Sequence, residues 1–451
     1  MGLEIGIEWL TLIMFGSLLV LLMAGLPLAF VTGGLACVFL FVLGDERALN
    51  IVPSRIFPLM TNYQLSAIPL FIFMASMLER AGIINDMFDV IYKVLGGVKG
   101  GLAAATIIAS TVLAAMVGVI GAAVVTMGII ALPAMLKRNY DPKIAMGSIM
   151  AGGTLGILIP PSILAIIYAV VAEQSVGELF IGAVIPGLLL SGMYVAYVIL
   201  RSYINPQLGP PIPMEERVST ADKFRLVGKM SAPIALIVVV LGVIFTGVAT
   251  PVEAAGIGTF GAFIVAAIHR KLDWQTIREA SIGTLKASAM VIWIMFGATI
   301  FVGLYVLEGG QQFVQNALQA TGFGPWGILI IMQIVLIILG MFLDWVGILL
   351  LCVPIFVPIV KALGAQAFGL DNPDDLVLWF GVLYLVNMQM SFLSPPFGYA
   401  LFYLRGVAPP EIPMTDIFKS ALPFLALQVV GLLLCMFFPE IITWLPRLVY
   451  G

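Results

Sequence analysis

Charge is scarce in this sequence. Only 10% of its 451 residues are Asp, Glu, Lys or Arg, where a soluble domain carries about 25%. That scarcity excludes an ordinary water-soluble globule. There is one histidine, His269, so a histidine-based metal site is implausible. The three cysteines, Cys37, Cys352 and Cys435, are scattered through apolar segments with neither disulfide nor zinc spacing. No apolar block pairs a nucleophile with a base or gathers metal ligands, which argues against an intramembrane enzyme. The net charge of −3 says little about partners, and no nucleic acid is expected.

Apolar residues are abundant: 61% of the chain, with a mean hydropathy of +1.13. Runs of the ~20 residues needed to cross a bilayer recur from end to end. The chain therefore reads as an all-α polytopic protein embedded in lipid. Its first run begins at Trp9, behind acidic Glu4 and Glu8. A secretory signal has a basic start, so this run reads as the first span. Ten spans are expected, at 9–25, 28–44, 64–80, 143–172, 177–203, 230–248, 253–269, 284–307, 376–405 and 414–438. Two further blocks, 98–137 and 325–361, are too long for one crossing. Each follows a short amphipathic piece (83–94 and 309–320), expected to lie along the interface. Each carries turn signals midway: Gly118 and Gly121 in MVGVIGAA, and Asp344 and Gly347 in FLDWVGI. They read as re-entrant helical hairpins; two full spans per block is the alternative.

The span at 143–172 contains GGTLGILIPPS, residues 152–162, which breaks its own helix at membrane depth. Pro160–Pro161 recurs 235 residues later as Pro395–Pro396, in NMQMSFLSPPFG. Leu78–Glu79 matches Leu307–Glu308 at an offset of 229, and Pro186 matches Pro423 at 237. Two repeats follow, 1–203 and 230–451, joined by a linker at 204–229. Each has five crossings, or seven if a hairpin counts as two. Either number is odd, so the repeats are inverted in the membrane. Seventeen of the 21 Lys and Arg fall on one face and four on the other. The richer face is expected to be cytoplasmic, leaving both termini outside.

Inverted repeats with discontinuous helices are marks of a secondary transporter. A helix that stops inside the membrane leaves free N–H groups at one new end and free carbonyls at the other. The first attracts an anionic group; the second can strip water from Na⁺. A channel needs no such repeated breaks. A kink or close packing is the plainer reading of a single Pro-Pro, but the recurrence beside a hairpin favours a ligand site. Asp344 is the only acidic residue deep in an apolar block, which suits a Na⁺ or H⁺ site. Thr250–Glu253, Ser175–Glu178 and Asp141–Pro142 read as helix caps, and His269 as an interfacial anchor.

GGTLGILIPPS, the IPLF of Ile68–Phe71, the TPVEAAG of Thr250–Gly256 and the second SPPFG resemble the large membrane subunit of tripartite ATP-independent periplasmic (TRAP) transporters, over nearly the whole chain. The resemblance implies Na⁺-driven import of an organic acid, commonly a carboxylate, across the bacterial inner membrane. It implies an elevator movement and two separate partners: a small four-helix membrane subunit and a periplasmic substrate-binding protein. It places one Na⁺ site at Val117, Gly118, Gly121, Gly153, Thr154 and Gly156. The other falls at Leu343, Asp344, Gly347, Asn387, Ser391 and Ser394. Substrate would lie near Thr154, Pro160, Pro161, Ser162, Pro395 and Pro396. The first tip reads GVIGAAVV in place of the serine-rich tip of sialic-acid members. That resembles the subgroup labelled for mannitol and chloroaromatic compounds and argues against sialic acid. A stand-alone Na⁺- or H⁺-coupled carboxylate symporter is the alternative.

Overall fold

The computed structural model describes residues 5–44, 46–117, 120–213, 223, 226, 228, 230–396 and 398–450, with only the backbone at Glu46 and Val117. Every regular element among them is helical. In the first half, α1 (Ile7–Met23), α2 (Leu28–Gly44), α3 (Ile51–Met60) and α4 (Ala67–Arg80) lead to an amphipathic α5 (Ile83–Leu95). The hairpin α6 (Gly101–Val117) and α7 (Ile120–Lys137) follows. Next come a broken helix, α8 (Pro142–Thr154) and α9 (Ile163–Ala172), and then α10 (Val176–Ile204). In the second half, α11 (Ser231–Phe245), α12 (Pro251–Ile268) and α13 (Trp274–Leu307) lead to an amphipathic α14 (Gly310–Ala320). The hairpin α15 (Pro325–Gly340) and α16 (Trp345–Leu363) follows. A second broken helix, α17 (Asp375–Leu393) and α18 (Tyr399–Arg405), precedes α19 (Met414–Phe437) and α20 (Glu440–Tyr450). The element order repeats from half to half.

Local chemistry sets the helix starts. Asp141 accepts from the N–H groups of Lys143 (2.9 Å) and Ile144 (3.1 Å), with Pro142 in the first turn where no donor is needed. Thr250 and Glu253 close a reciprocal box: the Thr250 N–H donates to Glu253 (2.7 Å), and the Glu253 N–H to Thr250 (3.3 Å). Ser175 caps α10 alone, because the Glu178 carboxylate turns to the Gln174 amide (2.7 Å). Two elements differ from the sequence reading. Residues 45–63, between two expected spans, hold α3, and the chain adds a further helix, α20, beyond the last span.

Seven described helices are long and apolar enough to cross a bilayer, or eight if Arg47–Met60 and Tyr63–Arg80, bent by 61°, count as one. The protein is an all-α polytopic membrane protein. Three helices expected to span, α1, α2 and α11, have 17, 17 and 15 residues. Helices this short cross where flanking residues snorkel or the bilayer thins.

Packing between the halves is reciprocal. The second helix of each half rests on the long helix just before the other half's amphipathic piece: α2 on α13, and α12 on α4. The return arm of each hairpin packs on the far segment of the other half's broken helix: α7 on α18, and α16 on α9. Each hairpin also packs on its own broken helix, α6 and α7 on α8, α15 and α16 on α17. The broken helices are therefore the centre of the molecule. All 19 residues of α17 are buried, as are Ile144–Thr154 of α8. Small side chains make that possible. A Cβ on Gly147 would fall 2.4 Å from the Phe424 ring of α19.

Candidate functional site

The second hairpin turns between Gly340 and Trp345. Asp344 is half-buried there and caps α16, its Oδ2 accepting the Val346 N–H at 3.2 Å. Gly340 sits directly on α17: a Cβ would lie 2.1 Å from the Ser391 Cβ. One turn earlier, Asn387 donates to the Gln333 carbonyl (2.9 Å) and to Gln333 Oε1 (2.7 Å). Asn387 Oδ1 and Gln333 Nε2 are then left buried with no hydrogen-bond partner. Ser391 reaches the Leu336 and Asn387 carbonyls only at 3.5 and 3.4 Å, while Ser394 donates firmly to Met390 (2.7 Å). The structure thus brings the hairpin end, Asn387 and Ser391 together. Leu343 is buried in the turn. Gly347 faces elsewhere, packed against Leu28 of α2.

At the first break, Gly118 lies outside the described residues, and only the backbone of Val117 is described. Gly121 faces the Tyr403 ring of α18 (3.1 Å from an added Cβ), and Gly153 lies against Val124 of α7. Gly156 sits in the single tight turn Leu155–Ile157. Both hydroxyls of this break are engaged. Thr154 donates to Ala151 (2.9 Å), and Ser162 donates to Ile157 (2.5 Å) while capping Ala165 (3.3 Å). Pro160 and Pro161 are buried, Pro395 is half-buried and Pro396 exposed; both Pro-Pro bonds are cis.

Three glutamines escaped the sequence reading. Gln428 of α19 donates to Thr154 (3.4 Å), and its Oε1 has no partner. Gln389 is fully buried with both amide atoms unpaired. Gln333 holds Asn387. One signal was available for Gln389: superposing the breaks at the 235-residue offset puts it in the place of Thr154, and Asn387 in that of Gly152. The corresponding first-half contact is Ser110 against Gly152, where an added Cβ would lie 2.8 Å from the serine Cβ. The second break is accordingly the richer in neutral donors and acceptors, and the first adds the unpaired Ser110 Oγ and Gln428 Oε1 to its backbone. Uncompensated buried amides cost about 1–3 kcal/mol each, so a fold keeps them where a ligand or water completes them.

Broken helices clasped by paired hairpins define a membrane transporter. The chain belongs to the DctM family: the model of the tripartite ATP-independent periplasmic transporter DctM component matches residues 15–441. It is 32% identical to the C4-dicarboxylate TRAP transporter large permease protein DctM of Pseudomonas aeruginosa, over 92% of each chain. It is 28% identical to the sialic acid TRAP transporter large permease protein SiaM of Vibrio cholerae, over 96% of this chain and 97% of that one. Its fold is similar to that of the Alcanivorax borkumensis YdaH transporter, with a TM-score of 0.64 and 14% identity, over 95% of this chain and 99% of the other. The protein is a TRAP large membrane subunit.

Proposed function

We propose that this subunit imports an organic acid with Na⁺, working with a small membrane subunit and a periplasmic binding protein. The observation that carries the reading is the second hairpin end pressed on α17 at Ser391, one turn from the unpaired Asn387 Oδ1, with the carboxylate of Asp344 in the same hairpin turn. Oxygen ligands with one negative charge suit Na⁺. The first ion site, at Val117, Gly118, Gly121, Gly153, Thr154 and Gly156, relies on backbone carbonyls. Substrate lies between the two tips, near Pro160–Ser162 and Pro395–Pro396, where freed N–H groups meet its carboxylate. The halves are inverted repeats, and the reciprocal contacts support that relation. The hairpins and broken helices slide as one body against α1, α2, α4 and α11–α13. The lysine- and arginine-rich face is cytoplasmic, which puts the protein in the inner membrane with both termini in the periplasm.

The test is uptake into proteoliposomes containing this subunit and its small partner. Labelled organic acids are supplied with and without the binding protein, under an inward Na⁺ gradient. Uptake requiring both is expected. Uptake indifferent to the binding protein would establish a stand-alone symporter instead.

A further inference from the structure

We infer that a phospholipid acyl chain occupies a cavity between the second hairpin and its neighbours α1, α13 and α14. The cavity holds 280 Å³, room for roughly nine water- or methylene-sized groups at ~30 Å³ each. One wall is α1 with Tyr305; the other is formed by both hairpin arms, Leu339 and Leu351 among them. Its two hydroxyl-bearing side chains, Thr11 and Tyr305, bond each other at 3.0 Å, and Thr11 also donates to the Ile7 carbonyl (2.7 Å). The Cys352 thiol on the hairpin wall behaves as a small hydrophobe. A water needs two to four polar partners; here both hydroxyl protons are committed and only spare lone pairs of that one pair remain. An apolar group is the occupant this chemistry accepts.

The source is the bilayer itself. Leu19, on the cavity wall, is 40% exposed. It continues the outward apolar rows of α1 (Leu12, Val20) and α15 (Ile334, Ile338), which are exposed in a protein that spans a membrane. The cavity is thus an inlet in the lipid-facing surface. Its ends fit a lipid's polarity. It starts under the amphipathic helix α14, at Val314 and Leu318, and runs to Leu343 in the hairpin turn. A headgroup would rest beside the polar face of α14, with its chain directed toward the turn. This inference concerns the lipid alone and stands whether or not the hairpin carries ions.

Photocrosslinking of the full chain in liposomes tests it, with a phosphatidylcholine carrying a diazirine in its acyl tail. Crosslinked peptides are mapped by mass spectrometry. Crosslinks on both hairpin arms, at Leu339–Leu343 and Leu351–Phe356, at yields matching the exposed Ile334 and Ile338, are the expected result. In L351W, which fills the cavity, the arm crosslinks should be largely lost while those at Ile334 and Ile338 persist. Crosslinks confined to the exposed row in the unmodified protein would overturn the inference, independently of how L351W folds. So would loss of the arm crosslinks when the small membrane subunit is co-reconstituted, which would make that subunit the occupant.

Discussion

The carboxylate of Asp344 caps α16, and the proposed ion site needs its charge; one pair of substitutions separates the two roles. Asparagine caps a helix about as well as aspartate, whereas alanine costs about 1 kcal/mol. D344N should therefore melt close to the parent protein and D344A lower, while both lose Na⁺-dependent uptake. Melting curves alongside uptake at varied Na⁺ check this. A D344N protein with unaltered Na⁺ response would remove Asp344 from the ion site. Gly340 offers a second test. A methyl group there collides with Ser391, and overpacking of a core costs about 1–3 kcal/mol. G340A should be destabilised, and the double variant G340A/S391G should recover much of the loss, because the side chain in the way is gone. A double-mutant cycle of melting temperatures measures the recovery; strict additivity would contradict the contact.

Helix ends carry their own expectations. Asp273 caps α13 by accepting the Thr276 N–H at 2.6 Å. That bond holds its carboxyl below the ordinary aspartate range. A carboxyl whose pKa is lowered on folding stabilises the fold above its unfolded value and loses that contribution as pH falls through the folded one. D273A should thus be less stable than the parent at neutral pH; the gap should begin to narrow below about pH 4 and close as pH falls through the lowered folded value. Paired melts across that range decide it; a constant gap would assign the effect to packing. The elements themselves were largely legible. Apolar runs located the spans, hairpins and amphipathic helices, and the prolines located both breaks. The region 45–63 was not legible. Pro53 and Pro58 in IVPSRIFPLM suggest a loop, yet Pro53 falls in the first turn of α3, where no N–H is missed. Gln333 and Gln428 were hidden for another reason. A lone Gln in an apolar run has no partner visible in sequence, and Gln428 finds Thr154 only through a contact 274 residues away.

The whole molecule is expected to divide into a moving and a static body, and the structure supplies a place to join them. Gly347 at the second hairpin touches Leu28 of α2. With the native cysteines replaced, L28C/G347C should form a disulfide that stops uptake until reductant is added. The single variant L28C, oxidised in the same way, should keep its uptake. Transport that continues through an oxidised L28C/G347C bridge would refute the sliding movement. The reciprocal packing that motivates this test was not legible in the sequence. Matching motifs revealed two similar halves but not that each covers the other's hairpin.

That mutual cover bears on how the protein is made. Synthesis runs from the N-terminus, and domains ordinarily fold as they emerge. Here the α7 arm finds its neighbour α18, and α8 its neighbour α19, only near the end of translation. The first hairpin must wait in the bilayer with its inner face against lipid or a chaperone. Neither half is a finished domain, so half-chains split in the linker should accumulate when co-expressed and be degraded when expressed singly, as pulse-chase labelling would show.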